Sequence, residues 1–106
     1  MKISLVKPVN QVSFYNKAVQ VEIDDYIYLK SYDTIVGFIH DNEFYRCWGD
    51  YSATTMKHVN SFLHNHDLPT YGKKEWEKLP VFNYPLTYME EKEIAKQSPE
   101  FTVSLM

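Results

Sequence analysis

A single cysteine, three glycines and no long apolar run set the first limits on this chain of 106 residues. Cys47 alone cannot close an intramolecular disulfide, which excludes a disulfide-stapled secreted miniprotein and favours a reducing, cytoplasmic setting. So little glycine excludes collagen-like and glycine-rich low-complexity architecture. The opening MKISLVKPVNQV holds too short an apolar stretch for a signal sequence, and no window approaches the length of a membrane span. The expectation is a soluble protein that those signals do not export and that has no membrane partner. Also missing are paired thiols, His-Glu-x-x-His, Gly-x-Ser-x-Gly and a glycine-rich phosphate loop, so the zinc, hydrolase and nucleotide templates all fail. No cofactor, no metal site and no catalytic residues are expected.

What the chain does have is rings. Nine tyrosines, six phenylalanines and two tryptophans accompany an apolar fraction of 44% and a charged fraction of 24%, the composition of one folded domain spanning residues 1–106. That is more aromatic bulk than a small core needs, so some rings belong on the surface. Net charge is −3, which argues against a dedicated duplex-DNA binder. The acidity is concentrated between residues 22 and 50, where Glu22, Asp24, Asp25, Asp33, Asp41, Glu43 and Asp50 face only Lys30 and Arg46.

Pattern along the chain predicts an α+β fold: a small antiparallel sheet with hairpins in 19–48, an amphipathic helix over about 52–66 packed on one face, and a proline-rich C-terminal segment with a short helix. A first strand runs from Lys2 to Val6 and stops at Pro8. Period-two alternation over Val19–Lys30 places Val19, Val21, Ile23, Ile27 and Leu29 on one parity and Gln20, Glu22, Asp24, Tyr26, Tyr28 and Lys30 on the other. That parity continues through Asp24-Asp25. It favours a three-residue loop at 24–26 over a two-residue turn, which would put Glu22 opposite Ile27 and mix the faces; one long strand with a bulge at Asp25 is the alternative. Thr34–His40, Asp41-Asn42 and Glu43–Trp48 form the clearest hairpin, and Gly37 marks a bulge or a ring lying close against the backbone. Ser52 caps the helix carrying Thr55, Met56, Val59, Phe62, Leu63 and His66. A short helical turn follows at Lys73–Leu79, then a second short helix at Tyr88–Gln97 ended by Pro99, with Phe101–Leu105 as a last strand or tail. Trp76, Leu79, Phe82 and Tyr84 pin the proline-rich 67–87 segment to the body.

The candidate chemical groups have simple alternatives. His40, His58, His64 and His66 have spacings that do not share a helical face. Arg46 beside Cys47 suits an activated thiol, but a buried small hydrophobe explains Cys47 more cheaply. Ser52-Ala-Thr-Thr55 reads as an anion site or, more economically, as a helix cap. Asp24-Asp25 reads as a solvated loop. The most suggestive surface is Glu22, Asp24, Asp25, Tyr26, Tyr28 and Asp33, since tyrosine offers contact area at low entropic cost and acids suit a basic groove. The competing reading is that these tyrosines cover a second sheet face beneath the 67–87 segment.

Ser31-Tyr-Asp-Thr-Ile-Val-Gly-Phe-Ile and Asp50-Tyr-Ser-Ala-Thr-Thr-Met-Lys-His-Val-Asn-Ser-Phe-Leu63, above all Tyr51-Ser-x-Thr-Thr-x-Lys-His58, resemble small proteins of phages, plasmids and integrated elements of Gram-positive bacteria. The resemblance covers the middle third of the chain. It implies a mobile-element protein that binds a host protein, of the kind represented by anti-CRISPR inhibitors of Cas9 or its guide-RNA complex, with no enzymatic activity of its own. Two other expectations stand beside it. One is a nucleic-acid accessory protein using tyrosines with Lys57, Lys73, Lys74 and Lys78; the other is a metal-dependent nuclease built on the histidines.

Overall fold

A computed structural model describes residues 1–9, 11 and 13–97. Five strands, β1 (Lys2–Leu5), β2 (Ala18–Ile23), β3 (Tyr26–Ser31), β4 (Thr34–His40) and β5 (Glu43–Arg46), are followed by α1 (Ala53–Asn65), α2 (Lys73–Lys78) and α3 (Tyr88–Gln97). The strands form one antiparallel sheet in chain order. The fold is α+β. Pro99 and the expected strand or tail at Phe101–Leu105 lie outside the described residues.

Both sheet faces are covered, by different parts of the chain. On one, Val6, Ala18, Leu29, Val36 and Ile39 meet Met56, Val59, Phe62 and Leu63 of α1 and Trp76 of α2. On the other, Val19, Val21, Tyr28 and Phe38 meet Ile94 of α3, with Tyr84 and Leu86 packed alongside. Each of these large buried side chains is worth about 1.5–3 kcal/mol relative to exposure. The 79–87 segment passes from one face to the other around β5. There the Phe82 amide donates to the Arg46 carbonyl (2.7 Å), which closes part of an edge strand that would otherwise be open to pairing.

This two-sided burial overturns the expected three-residue loop. The turn is two residues long, with Ile23 opposite Tyr26 and Glu22 opposite Ile27, the register that the alternation argued against. Alternation specifies register only where one face is solvated. Here both faces are apolar, so Ile27 and Leu29 join the α1 side while Tyr26 and Tyr28 share a face with Val19, Val21 and Ile23. Asp24 takes a positive φ of 54° to close the turn, a conformation that Asp tolerates better than most side chains.

The 34–46 hairpin follows its pattern. Asp41 and Asn42 both have positive φ, 51° and 62°, as a tight primed turn requires. Pairing jumps from Leu29 opposite Gly37 to Lys30 opposite Ile35, so Val36 is the extra residue of a bulge, and it is buried. A Cβ on Gly37 would lie 2.4 Å from Phe44 Cζ and 2.6 Å from the Tyr45 carbonyl oxygen. The glycine therefore admits the Phe44 ring against the backbone, while the bulge falls on its neighbour Val36.

Ser52 caps α1, its Oγ accepting from the Thr55 amide at 3.0 Å. Thr55 itself is buried, so the hydroxyl run serves helix start and core. Within the same layer, Arg46 is 6% exposed. It donates to four backbone carbonyls, those of Trp48 (2.8 Å), Trp76 (3.0 Å), Leu79 (3.0 Å) and Asp50 (3.4 Å), and its guanidinium lies 4.8 Å from the Trp76 ring centre.

Candidate functional site

The sequence-derived surface is divided by the fold. Tyr28 is 1% exposed, its hydroxyl 3.5 Å from the Pro85 carbonyl, so it belongs to the second core. Glu22 lies on the opposite face from Tyr26 and Tyr28. Asp33 lies in the β3–β4 turn at the far end of the sheet, its carboxylate 4.0 Å from Lys30 Nζ. The reason is the two-residue turn, which exchanges the faces between β2 and β3. What remains together is Asp24, Asp25 and Tyr26, and the sheet adds partners that no local pattern announces.

In an antiparallel meander the β2–β3 and β4–β5 turns lie at the same end, and a ring stack joins them here. Tyr26 and His40 are stacked with centroids 4.2 Å apart and planes 8° from parallel. His40 Nδ1 is 3.2 Å from the Asp25 carbonyl, an acceptor only, so that nitrogen carries the proton. Its Nε2 is 3.4 Å from Asp41 Oδ2, a carboxylate on an 85% exposed side chain. Asp24, Asp25, Asp41 and Glu43 are all exposed. The Tyr45 hydroxyl donates to Glu43 Oε2 at 3.1 Å, which raises the phenol above its usual range, burial adding a smaller effect. From Tyr45 the rings continue to Phe38, stacked at 5.0 Å, and edge-on to Phe82 at 5.3 Å; Phe82 is 42% exposed. Four carboxylates thus rim a partly open row of rings, a pattern suited to cationic or aromatic side chains of a protein partner.

The histidines are dispersed. His58 is buried in α1 with Nδ1 2.6 Å from Ser31 Oγ, His64 is exposed, and His66 Nε2 is 2.8 Å from Gln20 Oε1. Burial lowers the His66 imidazole below its usual value, partly offset by Glu22 and Asp67. Among the described residues no three His, Cys, Asp or Glu side chains gather as a metal would need, so the arrangement expected of a histidine-based nuclease is not formed by them. No described helix is long and apolar enough to cross a membrane.

Cys47 and Arg46 are consecutive and so point to opposite faces; the guanidinium serves α2 while the thiol lies in the second core layer. Desolvation pushes the thiol up to about 12, the opposite of activation. Tyr28 also rises to about 12, first through burial and then through Tyr26. Both are neutral in the fold and ionise near about 8.5 and about 10 once unfolded. A raised folded value contributes stability that is intact below the unfolded value and lost as pH rises toward the folded one. The thermal midpoint is expected to hold to about pH 8.5 and decline above it, less steeply in Cys47→Ala. A decline identical in the variant would remove the thiol from this account.

A family model matches residues 1–78, from β1 through α2, and its description is a family of unknown function, DUF8033. The chain belongs to this family. Comparisons with curated proteins and with solved structures found no match. The DUF8033 match contains both acidic turns, Tyr26, His40 and Arg46, whereas Phe82, Tyr84 and α3 lie beyond it. The rim of the candidate surface is thus part of the family unit, and most of the cover on the second sheet face is not.

Proposed function

We propose that this DUF8033 protein is a non-enzymatic binding protein that blocks a basic surface of a larger partner, and that the contact is made by the acidic, ring-lined end of its sheet. The observation that carries the reading is the Tyr26–His40 stack, which holds two hairpin turns with exposed Asp24, Asp25 and Asp41 in one place. Tyrosine and histidine tips supply contact area with little rotamer entropy to lose, and the carboxylates select for positive charge and speed encounter.

The resemblance in residues 31–63 supports a mobile-element origin and makes a host defence nuclease the partner to test first: Cas9 or its guide-RNA complex, whose channels are lined by basic side chains. An acidic patch of this size suits a local block better than mimicry of a whole duplex. In a cleavage assay with guide-loaded Cas9, the wild-type protein is expected to inhibit at near-stoichiometric ratios. Asp24→Lys combined with Asp25→Lys should weaken inhibition at least about tenfold while leaving the thermal midpoint nearly unchanged, since both side chains are exposed. No inhibition by the wild-type protein rejects the nuclease; equal inhibition by the variant rejects the surface.

A further inference from the structure

We infer that a second surface, the groove along the outer side of α1, binds single-stranded nucleic acid. Two hollows, of about 270 and about 570 Å³, adjoin there, since both are lined by Gln11 and Lys57. Among the described residues no carboxylate lines either of them. At one end the Lys17 ammonium lies 6.0 Å from the Tyr32 ring centre, beside Tyr15. At the other end Tyr51 lines the groove, with the Lys73 ammonium 5.1 Å from its ring centre.

The rings are available. Tyr15 is 79% exposed and Tyr32 is 42% exposed, and both occupy positive φ, 52° and 53°, a backbone region uncommon for aromatic residues. Burial of the rings does not account for their placement. Exposed rings interleaved with lysines form a stacking platform with charges to track a phosphate backbone. Duplex bases keep their faces against each other, so this pattern favours an unpaired strand. The exposed Asp24, Asp25, Asp41 and Glu43 belong to the turns at the far end of the sheet from Tyr32. Two exposed acids adjoin the groove, Asp33 beside Tyr32, 4.0 Å from Lys30 Nζ, and Asp50 beside Tyr51, against Lys17, Lys57 and Lys73. This surface is separate from the acidic one, and neither proposal needs the other.

Fluorescence anisotropy with labelled single-stranded RNA and DNA of about 12 nucleotides tests the inference. Binding is expected at about 50 mM salt, and neutralising about three phosphates predicts a weakening of about twentyfold at about 200 mM. Tyr15→Ala, Tyr32→Ala and Lys57→Glu should each weaken it about fivefold or more, with unchanged circular dichroism, while Asp24→Lys combined with Asp25→Lys should not weaken it. Absence of binding at the lower salt overturns the inference. So does binding indifferent to the three groove substitutions, or equal affinity for the matching duplex.

Discussion

Gly37→Val is expected to destabilise the protein by at least about 3 kcal/mol and to leave much of it unfolded, because the added side chain has nowhere to go. Overpacking usually costs about 1–3 kcal/mol when neighbours can shift. Here one obstacle is the Tyr45 carbonyl oxygen, 2.6 Å from the new Cβ, and a backbone atom in a paired strand cannot yield without breaking the ladder. The other is the Phe44 ring at 2.4 Å, itself surrounded by Phe62, Tyr71 and Trp76 with centroids 6.1–6.5 Å away. Adding Phe44→Leu to Gly37→Ala should relieve only the ring contact and recover part of the loss. Urea denaturation followed by circular dichroism measures this, and a Gly37→Val protein within about 0.5 kcal/mol of wild type would contradict the described close approach.

Arg46→Ala is expected to be comparably severe. Its guanidinium is the donor for the Trp48, Asp50, Trp76 and Leu79 carbonyls, and it ties β5 to the end of α2 across about 30 residues of chain. Hydrogen bonds from a charged donor are worth about 1.5–3 kcal/mol each, and buried acceptors left unpaired carry their own cost. Losing several of these removes a large share of the roughly 5–15 kcal/mol that holds a domain together. Arg46→Lys should fall between the two, since one ammonium cannot span four carbonyls in a fork. If Arg46→Ala lost less than about 1 kcal/mol in chemical denaturation, the side chain would not have the tethering role assigned to it.

These two positions also show what could and could not be read from the residues. Gly37 was legible because a glycine inside a β-rich run has few explanations, and α1 because Ser52 and the Met56, Val59, Phe62, Leu63 spacing are local signals. Arg46 was not, because its acceptors belong to a helix that returns to it only in three dimensions. The faces of Tyr26 and Tyr28 were misassigned for a different reason: burial on both sides erases the polar alternation from which faces are inferred. The acidic end was half legible. Asp24, Asp25 and Tyr26 are neighbours in sequence, but His40 and Asp41 reach them only through the pairing of β3 with β4.

The central claim is that this acidic, ring-lined end is a binding surface, and equilibrium titration of purified guide-loaded Cas9 against a small set of variants tests it most directly. The expected result is saturable one-to-one binding by the wild-type protein, weakened at least about tenfold by Asp24→Lys combined with Asp25→Lys and by Tyr26→Ala, and unaffected by Lys78→Glu. Equal affinity for wild type and the hairpin variants, or no binding by any of them, would contradict it.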